Sequence, residues 1–168
     1  DIFQAGKNQY DGYMASGGTE ANIQALWMYR NFFIKQNQAK LSEIAIIASE
    51  DTHYSIAKGS NLLMIDWIKV PVDFYSRQIN VDAYRMLLEK AIADGRKYFI
   101  VVSNMGTTMF GSVDEPSAYT TLLKELSLPF FLHIDAAYGG FVYPFLAPDS
   151  PLNFSNIDIS SIAVDAHK

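Results

Sequence analysis

The sequence predicts an α/β fold with a mainly parallel central sheet that carries helices on both faces. Short continuous apolar runs alternate along the chain with segments of helical periodicity. Continuous apolar runs are typical of strands buried on both faces, and their alternation with helices is typical of a parallel sheet. The chain has 168 residues, 49% of them hydrophobic, which is enough for one domain with a sizeable core.

The predicted strands are five apolar runs, each short enough for one crossing of a sheet. Proline closes the second run, as expected where a strand ends. The runs are Ile44–Ala48, Trp67–Val70, Tyr98–Val102, Phe130–Ile134 and Ile162–Val164.

The first helix is predicted to begin near Glu20 and to run to about Lys35, because apolar residues recur there at spacings of three and four. Ser16 or Thr19 could cap it, and an acidic residue favours a helix start.

The later helices are bounded by polar and turn residues. The second is predicted to begin in the stretch 49–52 and to run to about Met64. The third, Val81–Ala93, is amphipathic and is stopped by an Asp-Gly pair. The fourth, Ser117–Leu126, ends before a proline.

The composition argues against several classes of protein. There is no cysteine, so we expect no disulfide and no thiolate metal site, and no other metal site is predicted. The formal net charge is -5 and no Lys/Arg stripe occurs, so nucleic-acid binding is not expected. No apolar run reaches membrane-spanning length and residues 1–4 do not resemble a signal peptide, so we expect a cytoplasmic protein without a membrane span.

Because the chain lacks an initiator methionine and stops at a motif, we expect it to be an excerpt of a longer protein.

The segment Ser16-Gly17-Gly18-Thr19 stands immediately before the first predicted helix. Two glycines let the backbone approach an anion closely, and a helix N-terminus offers free N–H groups and a favourable dipole. Thr19 adds a hydroxyl. The segment indicates a phosphate site, and the alternative is an ordinary glycine-containing turn.

Polar side chains follow the predicted strands, and ligands of parallel sheets bind at the carboxyl ends of strands. His53 follows the first strand and could stack on a flat ligand, although a lone histidine is also common as a helix cap or a surface residue. Thr107 and Thr108 follow the third strand and offer hydroxyl groups in a glycine-flanked loop. Their alternative role is turn formation.

Asp135 and Lys168 are the residues with the clearest chemistry. Asp135 directly follows the fourth predicted strand, where a buried carboxylate is costly unless it meets a cation such as a protonated pyridine. Its alternative role is to cap the following turn. Lys168 follows the fifth strand, and a lysine amine can condense with an aldehyde to form a Schiff base.

Together these segments resemble the fold-type-I pyridoxal-phosphate enzymes, and within them the group II amino-acid decarboxylases, which include aromatic-amino-acid, glutamate, histidine and archaeal tyrosine/aspartate decarboxylases. The resemblance covers nearly the whole chain in the family's order and spacing, and the segment 133–141 combined with a distant His-Lys pair is highly specific. The matching segments are 16–22, 51–55, 106–108, 133–141 and 167–168.

The resemblance implies a phosphate site at the start of the chain. Gly17, Gly18 and Thr19 would bind the phosphate of pyridoxal 5'-phosphate, with help from His167. Asp165 is an acidic residue close to this site, where other branches of the family carry a neutral one, and it receives no role.

The resemblance also implies how the cofactor ring is held. His53 would stack on one face of the ring, and Ala137 would pack on the other. Asp135 would pair with the pyridinium nitrogen, Thr108 would lie near the cofactor, and Lys168 would form the internal aldimine.

The implied function is decarboxylation of an L-amino acid with an aromatic or acidic side chain. The resemblance further implies that residues 1–168 are part of the cofactor-binding large domain, with an N-terminal segment and a small C-terminal domain outside this chain. It implies a homodimer with sites near the subunit interface. Two alternatives remain: another fold-type-I enzyme, such as a sphingoid-phosphate-type lyase, a desulfurase or an aminotransferase, and an inactive fragment.

Overall fold

The computed structural model describes residues 2–6 and 10–168. In this part of the chain, all neighbouring strands of a five-stranded sheet pair in parallel, in the order β2-β1-β3-β4-β5. The α/β class and the mainly parallel sheet predicted from the sequence are therefore confirmed. The strands are β1 (Ile44–Ser49), β2 (Asp66–Val70), β3 (Tyr98–Asn104), β4 (Phe130–Ala136) and β5 (Ile159–Val164).

Helices connect the strands, as βαβ units require. Three long helices follow the predicted bounds closely, and the four-residue α5 was not predicted. A short 3₁₀ helix, Leu41–Glu43, precedes β1. The helices are α1 (Gly18–Asn37), α2 (Tyr54–Leu63), α3 (Val81–Ala93), α4 (Ser117–Glu125) and α5 (Tyr143–Leu146).

The sheet separates two hydrophobic cores, because successive side chains of a strand point to opposite faces. In β1, Ile44 and Ile46 pack in the core on the side of α1 and α2, whereas Ala45 and Ile47 pack on the side of α3 and α4. All four side chains are fully buried, which explains why the strand reads as a continuous apolar run. The molecule thus has the expected three layers.

Two local predictions were wrong. Neither Ser16 nor Thr19 caps α1: the cap residue is Gly17, which makes no side-chain hydrogen bond, and the Ser16 N–H is bonded to Glu20 Oε2 at 2.8 Å. The second helix begins at Tyr54 rather than in the stretch 49–52.

The stretch 49–52 forms a turn because its polar groups have partners outside a helix. The Glu50 N–H donates to Val70 O at 2.8 Å, and the Asp51 carboxylate forms an ion pair with Arg77. The acidic residues that suggested a helix start are thus held by the end of β2 and the segment that follows it.

The strand order brings the carboxyl ends of the central strands β1 and β3 beside the functional residues. After β1 the chain adds β2 on one side, and from β3 it adds β4 and β5 on the other side. The connections that leave β1 and β3 therefore run in opposite directions across the sheet. Ligand sites of open parallel sheets lie at the carboxyl ends of strands near this point.

No helix in the described residues is both long enough and apolar enough to span a bilayer.

Candidate active site

A cavity of about 350 Å³ opens at the carboxyl ends of β1, β3, β4 and β5. Its volume lies within the range of about 300–1,000 Å³ that is typical of small-molecule sites. All nine residues proposed from the sequence line this one cavity: Gly17, Gly18, Thr19, His53, Thr108, Asp135, Ala137, His167 and Lys168.

The N-terminus of α1 forms one wall of the cavity. The first intrahelical bond joins the Ala21 N–H to Gly17 O at 3.1 Å, so the N–H groups before it have no partner within the helix. A Cβ atom on Gly18 would lie 3.0 Å from the Ala137 Cβ, so a glycine permits the close approach of α1 to the end of β4. This wall has the free N–H groups and the dipole direction that suit an anion.

Asp135 lies at the end of β4 on the face that packs against α1, and only 6% of its surface is exposed. Its Oδ2 accepts a hydrogen bond from Asn22 Nδ2 at 2.7 Å, and its Oδ1 accepts one from the Ala137 N–H at 3.1 Å. The second bond shows that Asp135 also caps the following turn. None of the ion pairs formed among the described residues includes Asp135. A buried carboxylate without a cation is suited to bind one.

His53 is a helix cap, which was the alternative considered for it, and its ring also lines the cavity. It is the N-cap of α2, with Nδ1 accepting from the Ser55 N–H at 3.3 Å and lying 3.0 Å from Ser55 Oγ. Its ring also lines the cavity and lies 4.2 Å from the Tyr54 ring. Burial lowers the pKa of His53 below its ordinary value of 6.5, and the positive charge of Lys168 acts in the same direction, whereas the charge of Asp135 opposes it. The capping bond occupies Nδ1 and leaves Nε2 available to the cavity.

The two threonines after β3 have different surroundings. Thr107 is buried, and its hydroxyl is bonded to Ser112 Oγ at 2.7 Å, so its side chain stabilises the loop. Thr108 is exposed at the cavity. Asn104, at the end of β3, also lines the cavity and accepts a bond from the Thr52 hydroxyl at 3.0 Å.

Lys168 lines the cavity. Its Nζ is 4.0 Å from Asp165 Oδ2, and its side chain is 34% exposed. The adjacent His167 ring is largely exposed, and its Nδ1 lies 2.6 Å from Asp165 Oδ1. Asp165, which had no role in the sequence analysis, is thus the buried carboxylate that contacts both residues of the His-Lys pair.

Two buried polar residues behind Asp135 were not assigned a role from the sequence. Asn22 and His133 are each 1% exposed, and His133 Nε2 lies 3.0 Å from Asn22 Oδ1. A signal for both was present: Asn22 lies on the buried helical face that also contains Leu26 and Tyr29, and His133 interrupts an apolar strand. A polar side chain on a buried face requires a hydrogen-bond partner.

The burial of His133 predicts a pH dependence of stability. Burial lowers the pKa of His133 from 6.5 to about 4, whereas the charge of Asp135 opposes the shift. Between these two values the unfolded chain binds a proton that the folded chain does not, so stability is full above pH 6.5 and falls as the pH falls towards 4. The loss approaches about 1.4 kcal/mol per pH unit inside this window.

The measurement compares urea midpoints of the wild type and a His133→Gln variant of the full-length protein across this window. The variant lacks the titrating ring, so the stability difference between the two proteins should shift in favour of the variant as the pH falls. Parallel curves for the two proteins would contradict a neutral, buried His133.

Comparison with known proteins identifies the family. The pyridoxal-dependent decarboxylase conserved domain matches residues 2–168. The chain belongs to this family. A tryptophan decarboxylase from Clostridium sporogenes is 53% identical over 168 residues, which is all of this chain and 40% of that protein. A probable L-tyrosine/L-aspartate decarboxylase from Methanosphaerula palustris is 37% identical over 94% of this chain and 39% of that protein.

A solved structure agrees with the fold. The glutamate decarboxylase domain of a diaminobutyrate-pyruvate transaminase and L-2,4-diaminobutyrate decarboxylase from Vibrio parahaemolyticus superimposes with a TM-score of 0.81 at 20% identity. The match covers 99% of this chain and 38% of that one. The chain therefore has the fold of fold-type-I decarboxylases, and it spans about two fifths of the length of the curated relatives it matches.

Membership of this family implies pyridoxal 5'-phosphate as the cofactor, and the cavity fits that group. It combines a helix N-terminus for a phosphate, a lysine amine for an aldehyde, and a buried carboxylate without an ion pair for a protonated ring nitrogen. Within the described part of the chain, no group of three or more His, Cys, Asp or Glu side chains could hold a metal ion.

Proposed function

We propose that this chain is part of the cofactor-binding large domain of a pyridoxal-phosphate-dependent decarboxylase that converts an aromatic L-amino acid to the amine and carbon dioxide. The observation that carries the proposal is the position of the buried, unpaired Asp135 carboxylate in the same cavity as the Lys168 amine and the free end of α1. An N-terminal segment and a small C-terminal domain would lie outside residues 1–168. The proposed enzyme is a cytoplasmic homodimer.

When bound, the cofactor supplies an aldehyde carbon and a protonated ring that accepts electrons as the substrate carboxylate leaves. The residues of this chain hold the cofactor and keep its ring protonated. Lys168 supplies the amine that holds the cofactor, and Asp135 holds the proton on the ring nitrogen. The N–H groups of Gly18 and Thr19 bind the phosphate together with the Thr19 hydroxyl and His167.

Two observations favour an aromatic substrate over an acidic one. The relative with 53% identity is a tryptophan decarboxylase, whereas the tyrosine/aspartate relative is 37% identical. The rings of Tyr54 and Tyr138 line the cavity and are each about half exposed, which offers an aromatic surface to a flat side chain.

The direct test is an assay of the full-length protein, loaded with cofactor, against a panel of L-amino acids. Release of carbon dioxide should be fastest with tryptophan, phenylalanine or tyrosine and much slower with glutamate or aspartate. Preference for an acidic amino acid would overturn the substrate class, and the absence of amine from every substrate would overturn decarboxylation itself.

His53 is expected to be needed for amine formation but not for cofactor binding. Its Nε2 is free to hydrogen-bond the leaving carboxylate or to deliver a proton to the α-carbon, because the capping bond uses Nδ1. A His53→Phe variant keeps a stacking ring but cannot transfer a proton. It should retain the absorbance of the bound cofactor and lose amine formation.

The control for this variant separates catalysis from helix capping. His53→Phe also removes the N-cap of α2, which costs about 1 kcal/mol of stability. His53→Asn keeps a capping side chain and lacks the ring, so it should restore the melting temperature without restoring amine formation. Amine formation close to the wild-type rate in His53→Asn would assign His53 to the cap alone.

A further inference from the structure

A hydrogen-bond network joins the two residues that the proposed function places against the cofactor ring. Asn22 Nδ2 donates to Asp135 Oδ2 at 2.7 Å and to Ser55 Oγ at 2.9 Å. Ser55 Oγ in turn lies 3.0 Å from His53 Nδ1. One buried amide is therefore bonded directly to Asp135 and through one hydroxyl to His53.

The orientation of the Asn22 amide follows from the chemistry of its partners. A carboxylate only accepts hydrogen bonds, so the NH₂ group must face Asp135 and the carbonyl oxygen must face the other way. There Asn22 Oδ1 meets His133 Nε2 at 3.0 Å. The amide thus uses both N–H groups and its oxygen, and a rotation by 180° would place its oxygen against Asp135.

His133 holds the amide in this orientation only while its Nε2 carries a proton. Burial lowers the pKa of His133 to about 4, so above that pH the ring carries a single proton, on Nε2. Nδ1 is then the acceptor, and it lies 2.7 Å from Ser161 Oγ. The Tyr29 hydroxyl donates to Ser161 Oγ. The donors therefore point in one direction, from Tyr29 through Ser161, His133 and Asn22 to Asp135. A chain with this arrangement strengthens each of its bonds.

An irregularity in the sheet brings one partner, Ser161, beside His133. The pairing of β4 with β5 shifts by one residue, so that Leu132 pairs with Ile159 but His133 pairs with Ser161. Such a bulge redirects a side chain. Around His133 the titratable groups are Asp135 on its own strand, and Tyr29 on α1 through Ser161, whereas Asn22 and Ser161 are its direct neutral partners.

We infer that Asn22, held by His133, is the positioning residue that sets both the carboxylate of Asp135 and the ring of His53 for the cofactor. This inference rests on the proposed function for its consequence, but its geometry concerns this chain alone. Loss of the Asn22 donor leaves Asp135 without its shortest hydrogen bond and releases Ser55 from its bond to Asn22. Ring-nitrogen protonation and the orientation of His53 should therefore change together.

The test uses matched variants of the full-length protein. Asn22→Leu preserves size and removes every bond of the amide. His133→Phe removes the donor to Asn22, and His133→Gln places an uncharged amide donor near the same position. Tyr84→Phe is the control, because it also removes a buried hydroxyl bond, to Tyr119 O at 3.1 Å, outside the site.

Three readouts separate positioning from folding. Nitrogen-15 NMR of the cofactor-free protein reports the His133 tautomer, nitrogen-15 NMR of labelled cofactor reports ring protonation, and kinetics separate kcat from KM. We expect the Nε2–H tautomer in the wild type. In Asn22→Leu and His133→Phe we expect loss of ring protonation and kcat at least about 10-fold lower with KM little changed.

His133→Gln should recover kcat to within about threefold of the wild type, because a neutral donor is what Asn22 requires. Tyr84→Phe should lose stability without any change in ring protonation or kcat. A ring nitrogen that stays protonated in folded, cofactor-loaded Asn22→Leu and His133→Phe would overturn the inference, as would an Nδ1–H tautomer of His133. If instead the wild type loads cofactor but forms no amine, the proposed function fails while the tautomer and ring protonation still test the positioning role.

Discussion

Replacing Lys168 with alanine is expected to abolish decarboxylation, because this removes the amine proposed to hold the cofactor and to exchange with the substrate. Among the described residues, Lys168 is the lysine that lines the cavity, together with Asp135 and the start of α1. Turnover should fall by several powers of ten, each of which corresponds to about 1.4 kcal/mol of barrier. Borohydride reduction of the wild type, followed by peptide mass spectrometry, should find the cofactor attached at Lys168.

The matched control is Lys69→Ala, which removes a lysine that lies over the Trp67 ring on the edge strand β2. This variant should remain yellow and active. A reduced cofactor found on another lysine, with Lys168→Ala still coloured and active, would contradict the assignment.

Replacing Asp135 with asparagine is expected to have an effect of similar size on turnover and a much smaller one on cofactor binding. Asparagine keeps the shape of the side chain but removes the charge that stabilises a protonated ring nitrogen. Asp135 is 6% exposed, so this charge acts where water screens it little. Turnover should fall by several powers of ten at saturating cofactor, measured alongside the dissociation constant of the cofactor.

The matched control is Asp66→Asn, which removes an exposed carboxylate paired with Arg96 at the far edge of the sheet. Exposed pairs contribute little, so its turnover and stability should be close to those of the wild type. Near wild-type turnover in cofactor-loaded Asp135→Asn would show that the charge of Asp135 is not required.

The strands could be predicted from the sequence because they are buried on both faces, which leaves a continuous apolar run. Their carboxyl ends were placed too early, since β3 extends to Asn104 and β4 to Ala136. Asn104 and Asp135 pair with each other through the backbone, while their polar side chains line the cavity. The apolar pattern therefore stops before the hydrogen-bond ladder does.

The helix starts were harder to predict because they depend on tertiary contacts. The acidic run before α2 resembles a first helical turn, but Arg77, which is far along the chain, holds Asp51 in a turn. At α1 the polar residues that resemble caps line the cavity instead, and Gly17 caps the helix through its backbone alone.

The residues that line the cavity were found because each follows a strand or precedes a helix, where parallel sheets bind ligands. The network behind Asp135 was not found. It depends on α1 crossing β4 so that Asn22 meets His133, and on the shifted register that brings Ser161 beside His133. Neither contact is encoded in a local pattern of residues.

The most direct test of the account is mass-spectrometric product analysis of the full-length enzyme in heavy water, with an aromatic L-amino acid as substrate. We expect the corresponding amine, with one solvent deuteron on the former α-carbon and one equivalent of carbon dioxide. An α-keto acid, alanine or a long-chain aldehyde as the main product would contradict decarboxylation and would place the protein with another group of fold-type-I enzymes.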